Sequence, residues 1–297
     1  NGFNVGFAKN QTLRISHGGL TLTGRGKLYE QQLQTAPITL WGSHDPDAEN
    51  YTTLSVGKDV TLEGQSGIWI GPGETGQNAF GVSASIYGTV TSSVEGENGR
   101  AVYLNETALA TEGSVPQIHL YGATLTASGG SGLYLGGYAQ TTVTDSIIHA
   151  GDEGTGIRLS AGELSIHGDT VVSSSTGLFE ATPGGDGSSI GHVALAVVQH
   201  PDKLPVSLTI TNGHFIGGMA LLEQNAQNGD PDAIARIHLD ITGGRFYGPL
   251  YSENKTGFIS GGTFTADPSA YLANGCAAED SGDPIYHYAV TAAGQNP

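Results

Sequence analysis

The chain has 297 residues, 47 of them Gly and only 13% charged, and its 11 basic against 28 acidic side chains give a formal net charge of −17. Such a surface repels polyanions, which discourages nucleic acid or an anionic bilayer as a partner and leaves neutral glycans, cations or basic surfaces open, and no apolar run approaches the roughly 18 residues of a membrane span. The single cysteine, Cys276, excludes an internal disulfide, so stability has to come from packing and hydrogen-bonded stacking.

The composition lacks the Ala, Glu, Lys and Leu excess of helical chains, and its apolar residues recur in short alternating groups, which predicts many short strands joined by Gly-rich turns. The opening Asn1-Gly2-Phe3-Asn4 carries no charged-then-apolar leader pattern, as expected of a cytosolic chain or of a mature, trimmed one. Residues 1–50 repeat least cleanly, although Leu13-Arg14-Ile15, Leu20-Thr21-Leu22 and Ile38-Thr39-Leu40 keep strand alternation; they are predicted to form the first coils or a cap over one open end.

From residue 51 to 275 a register emerges that reads apolar, any, Gly/Asp/Asn, any, any, apolar. Leu62-Glu63-Gly64 and Ile86-Tyr87-Gly88 are degenerate copies. Six clear ones follow: Leu120-Tyr121-Gly122 with Leu125, Val143-Thr144-Asp145 with Ile148, Ile166-His167-Gly168 with Val171, Ile210-Thr211-Asn212 with Phe215, Ile241-Thr242-Gly243 with Phe246, and Ile259-Ser260-Gly261 with Phe264. Leu120, Val143 and Ile166 are spaced by 23 residues. That is the length of one coil of a three-sided solenoid, with strands on three faces and bends where Gly, Asn or Asp tolerates positive φ. The predicted fold is therefore all-β, a single-stranded right-handed parallel β-helix.

A second strand recurs between those turns as Ile68-Trp69-Ile70, Val102-Tyr103-Leu104, Leu133-Tyr134-Leu135, Ile157-Arg158-Leu159, Leu178-Phe179-Glu180 and Met219-Ala220-Leu221. Alternation predicts that the flanking aliphatics point inward and the middle residue outward. The polar, turn-rich stretches 182–205 and 225–231 break the period and are predicted to leave the coil as loops, and 276–297 to form a C-terminal tail or cap.

This coil pattern resembles the pectate-lyase-like right-handed β-helix superfamily. The ending Ile259-Ser260-Gly261-Gly262-Thr263-Phe264 through Tyr271-Leu272-Ala273-Asn274-Gly275 is similar to a terminal motif of large surface proteins from gut-dwelling Gram-positive bacteria, departing from it at Cys276, where an aromatic residue usually stands. The resemblance implies an exported protein, extracellular or at the cell surface, with adhesion or glycan contact as the expected role.

Hydrolysis of polygalacturonate on such a scaffold needs clustered aspartates and a Gly-His-Gly segment, and the chain holds no Asp-Asp pair, Asn-Thr-Asp or Gly-His-Gly; Gly191-His192-Val193 and Asn212-Gly213-His214 match only in fragments. Lyase chemistry needs a basic residue to abstract a proton next to a substrate carboxylate, usually with calcium held by acidic oxygens to acidify that proton. Arg158 with Asp145, Asp152, Glu153 and Asp169 on the same or adjacent coils is the best such set, although Asp at a bend is commonly a turn former. Ten scattered His show no zinc spacing, and Asn105-Glu106-Thr107 and Asn254-Lys255-Thr256 have the form of glycosylation triplets.

The outward positions carry the sharpest signal. Trp69, Tyr103, Tyr134, Arg158 and Phe179 on one face, and Tyr87 and Tyr121 on another, would repeat about every 4.8 Å along the axis. Exposed rings in a row can stack on sugar rings, and like residues on neighbouring coils also stack simply to stabilise strands. The expected function is a non-catalytic, monomeric surface module that binds glycan or a cell-surface partner through Trp69, Tyr103, Tyr134, Tyr87 and Tyr121, with no cofactor. The alternatives are a polysaccharide lyase or hydrolase, with calcium in the lyase case, and a structural spacer.

Overall fold

The computed structural model describes residues 2–73, 76, 78–151, 154–177, 190–224 and 229–293. Its strands stack into three long sheets, of twelve, nine and eight described strands, which form the three sides of a parallel β-helix. Each coil visits the sides in the same order. Thr124–Ala127 lies in sheet 1, Ser131–Leu135 in sheet 2 and Gln140–Thr144 in sheet 3, and Ile147–Ala150 then returns to sheet 1. Hydrogen bonds therefore run between coils, so Leu120 pairs with Val143, Val143 with Ile166 and Ile166 with Ile210, as the period requires.

The corner from sheet 3 to sheet 1 is a single residue in left-handed backbone, Gly122, Asp145 or Gly168 with φ of 58°, 49° and 64°. Asp can replace Gly there because Asn and Asp are among the few side chains that adopt left-handed backbone, and the carboxylate then reaches the next coil, Asp145 Oδ1 accepting from the Asp169 N–H at 2.8 Å. The inward column of sheet 1 runs in register from Leu62 and Val90 through Leu125, Ile148 and Val172 to Phe215, Phe246 and Phe264. The residue that enters this column after Gly168 is Val172, not Val171, because that corner holds one more residue than its neighbours.

A second column forms where sheet 1 turns into sheet 2. Gly67, Ala101, Gly132, Gly156, Ala194 and Ala220 each precede the first inward aliphatic of their strand. They are small because the space beside them is already filled from sheet 1: a Cβ on Gly132 would lie 2.6 Å from Ile148 Cγ2, and one on Gly156 would lie 2.9 Å from Val172 Cγ1. Ala220 thus belongs to this inward, fully buried column, and Leu222 takes the position opposite Ala196 that the alternation assigned to Ala220.

Residues 3–42 supply strands to all three sheets, from Phe3–Phe7 in sheet 1 to Ile38–Gly42 in sheet 2. Within the stretch 182–205, residues 182–189 lie outside the described set, while Val193–Val198 forms a fully buried strand of sheet 2 between polar turns. Of 225–231, residues 225–228 are likewise outside it; Pro231–Ile234 makes one helical turn whose N-terminal amides are capped by Asp230. At the far end Cys276–Asp280 and Tyr288–Ala292 pair antiparallel, and the second of them closes antiparallel on Gly262–Phe264. Among the described residues no helix is long and apolar enough to cross a membrane.

Candidate functional site

The predicted outward column exists on sheet 2. Thr39, Trp69, Tyr103, Tyr134, Arg158, Ala196, Leu222 and Tyr251 pair coil to coil in one unbroken register. Its rings meet edge to face, Trp69 to Tyr103 with centroids 6.5 Å apart and Tyr103 to Tyr134 at 5.3 Å. Such contacts add to stability beyond the area they bury.

The column is graded in exposure. Trp69 and Tyr103 are half-buried, whereas Tyr134 and Arg158 are each only 3% exposed. Three side chains close the Tyr134 end. Arg100 spreads its guanidinium over both Tyr103 and Tyr134, 4.6 and 4.5 Å from the ring centroids, and Arg158 covers Tyr134 at 4.9 Å. The Tyr134 hydroxyl donates to Glu106 Oε1 at 2.6 Å. Gly136 makes this possible, since a Cβ there would fall 2.7 Å from both Tyr134 Cε1 and Glu106 Cγ. Burial pushes the Tyr134 phenol well above its ordinary range, against the pull of Arg158 and with the Glu106 bond adding to the rise; burial likewise raises Tyr103.

Arg100 and Glu106 were not legible as site residues. Arg100 stands three positions before Tyr103, in a column shared with Ser66, Ser131 and Thr155, and Glu106 is exposed in the loop after the strand. The only sequence signal was the scarcity of cations in so acidic a chain. Beyond Arg158 the outer face turns apolar, and Ile190, Val193, Ala196, Val198, Met219 and Leu222 form a buried cluster of their own. Phe179 lies outside the described residues.

Tyr87 and Tyr121 sit elsewhere, where sheet 3 approaches its corner with sheet 1. They are 41% and 40% exposed and stack at 5.7 Å with planes 22° apart, and His119 lies parallel to Tyr121 at 6.0 Å. The predicted aromatic residues therefore occupy two separate faces.

Of the acidic set proposed around Arg158, the two described members lie on another part of the coil. Asp145 and Asp169 lie at the corner between sheets 3 and 1, across the coil from the middle of sheet 2, and Asp145 Oδ1 accepts from the Asp169 N–H. Asp152 and Glu153 lie outside the described residues. Among the described residues no three His, Cys, Asp or Glu side chains come together as a metal site would require. Comparison of the chain with known family profiles, curated proteins and solved structures finds no match, so its geometry alone speaks for its function.

Proposed function

We propose that this chain is a non-catalytic surface module that binds glycan along the outer face of sheet 2. The observation that carries the reading is the aromatic column, in which Trp69 and Tyr103 keep part of their ring surface open while Tyr134, Arg100, Arg158 and Glu106 hold that surface rigid from one side. Rigid amphipathic rings lose little entropy on binding, and their flat faces match the C–H face of a sugar while polar neighbours bond its hydroxyls. The stacked pair Tyr87 and Tyr121 supports a lesser contact on the opposite side of the coil. Architectural kinship with the pectate-lyase-like superfamily and export to the cell surface belong to the same proposal.

The burial of Arg158 and the remoteness of Asp145 and Asp169 weigh for binding over lyase chemistry. Screening the protein on a glycan array tests the reading. Retention of a glycan, with Trp69→Ala and Tyr103→Ala each weakening it about tenfold and Tyr134→Phe leaving it intact, is the expected outcome. A protein that retains no glycan returns the continuous core cluster, which extends from Ile15 to Val290, to its plainer meaning as a spacer.

A further inference from the structure

Next to the open end of the aromatic column lies a cleft of about 410 Å³ at the corner between sheets 2 and 3 of the early coils. Trp41, Tyr51, His44, Asp45, Ser16 and Ser43 line it. Trp41 is an outward residue of Ile38–Gly42 and pairs with Gly71, two positions beyond Trp69 on the next strand. The absence of a side chain at Gly71 lets the Trp69 indole lean over it, since a Cβ there would come within 2.5 Å of Trp69 Cη2. The Trp69 ring thus lies over the residue that Trp41 pairs with, one tryptophan standing in the column and the other in the cleft wall.

The cleft combines the two features that sugar recognition requires. Its aromatic walls are fixed: Arg14 lies over the Trp41 ring at 4.0 Å, and His17 meets Tyr51 edge on at 4.8 Å. Its polar groups are preset by the loop from Ser43 to Asn50. Ser43 Oγ accepts from the Asp45 N–H at 3.0 Å, so its hydroxyl proton can be donated outward, and Asp45 Oδ1 accepts from the Asp47 N–H at 3.0 Å, which leaves Oδ2 as an acceptor. A volume of this size falls within the range of small-molecule sites. The charge is decisive for class. Asp45 stands exposed in the cleft lining, Asp47 and Glu49 are exposed further along the same loop, the whole chain carries −17, and Arg14 is engaged on the Trp41 indole. An anionic sugar would be repelled.

We infer that this cleft is a binding subsite for a neutral sugar unit, continuous with the Trp69 and Tyr103 column. The inference rests on the glycan-binding reading and extends it to a named pocket and a ligand class. An array printed with neutral, sialylated and uronate-bearing glycans tests it, followed by titration of the best neutral oligosaccharide against variants whose melting curves match the parent. Tyr51→Ala and Asp45→Asn are expected to weaken binding about tenfold or more. Trp69→Phe leaves Trp41 as the only tryptophan, and its emission is expected to change saturably with the oligosaccharide. Binding that prefers acidic glycans, or that survives both cleft substitutions with a silent Trp41 while Trp69→Ala abolishes it, overturns the cleft assignment and leaves the column reading standing. Loss on the cleft substitutions with none on Trp69→Ala or Tyr103→Ala has the reverse meaning, and retention of no glycan at all overturns both.

Discussion

Phe246→Ala puts the stacking logic of the solenoid to the most direct test. Phe246 is fully buried between Phe215 and Phe264, with centroids 4.8 Å away on each side and planes tilted by only 10° and 7°. Truncation removes a ring that is in contact on both faces, and such Phe→Ala changes cost about 3–5 kcal/mol. The upper half of that range is expected, because both neighbours are pinned by parallel pairing and cannot collapse into the gap. Each coil touches only the next, so the loss should stay local. Hydrogen exchange read by mass spectrometry should show residues 241–264 and the closing hairpin opening more readily by about a thousandfold or more, with amides of 60–135 unchanged. Phe246→Leu, which preserves much of the volume, should cost less than about 1.5 kcal/mol. A cost for the alanine variant below about 1.5 kcal/mol, or equal acceleration along the whole chain, would refute the picture of a locally stacked, quasi-one-dimensional core.

Two further outcomes follow from the packing. Gly132→Val should lower the urea midpoint by an amount equivalent to about 1–3 kcal/mol, since even a Cβ at this position would lie 2.6 Å from Ile148 Cγ2 and 2.8 Å from the Gly156 carbonyl oxygen; an unchanged midpoint would mean that the small-residue column is not sterically required. Tyr103 and Tyr134 are raised by burial above their ordinary value of 10.0, so above pH 10 the unfolded chain binds fewer protons than the folded one and stability falls as pH rises, while below pH 10 their contribution is intact. Tyr134→Phe should therefore flatten the loss of stability between pH 10 and 11.5, followed by thermal melting, and an unaltered slope would show that this phenol does not titrate on unfolding.

The coil period, the alternation of strands and the Gly or Asp at the corner after Leu120, Val143 and Ile166 were all readable from the chain, because each is a local demand. An inward aliphatic must recur once per coil, and a left-handed corner admits few residue types. Val193–Val198 escaped because its insertion interrupts the period on which recognition of the other strands relied. The placement of the Trp69 ring over the partner of Trp41 is hidden for a related reason, since the two tryptophans are 28 positions apart and are linked only through the Trp41 to Gly71 pairing.

What the sequence determined by itself was the outward column from Trp69 to Arg158, a consequence of strand geometry. What only the tertiary structure decided was what those residues then meet. Tyr103 and Tyr134 follow the same local pattern, yet one is half-buried and the other closed, because Arg100, Arg158 and Glu106 arrive over Tyr134 from three different strands and loops. Asp145 and Arg158 are 13 positions apart in the chain, and a three-sided coil carries that separation from a corner to the middle of the opposite wall. Exposure and convergence depend on how neighbouring coils and corners pack, and no single period encodes them.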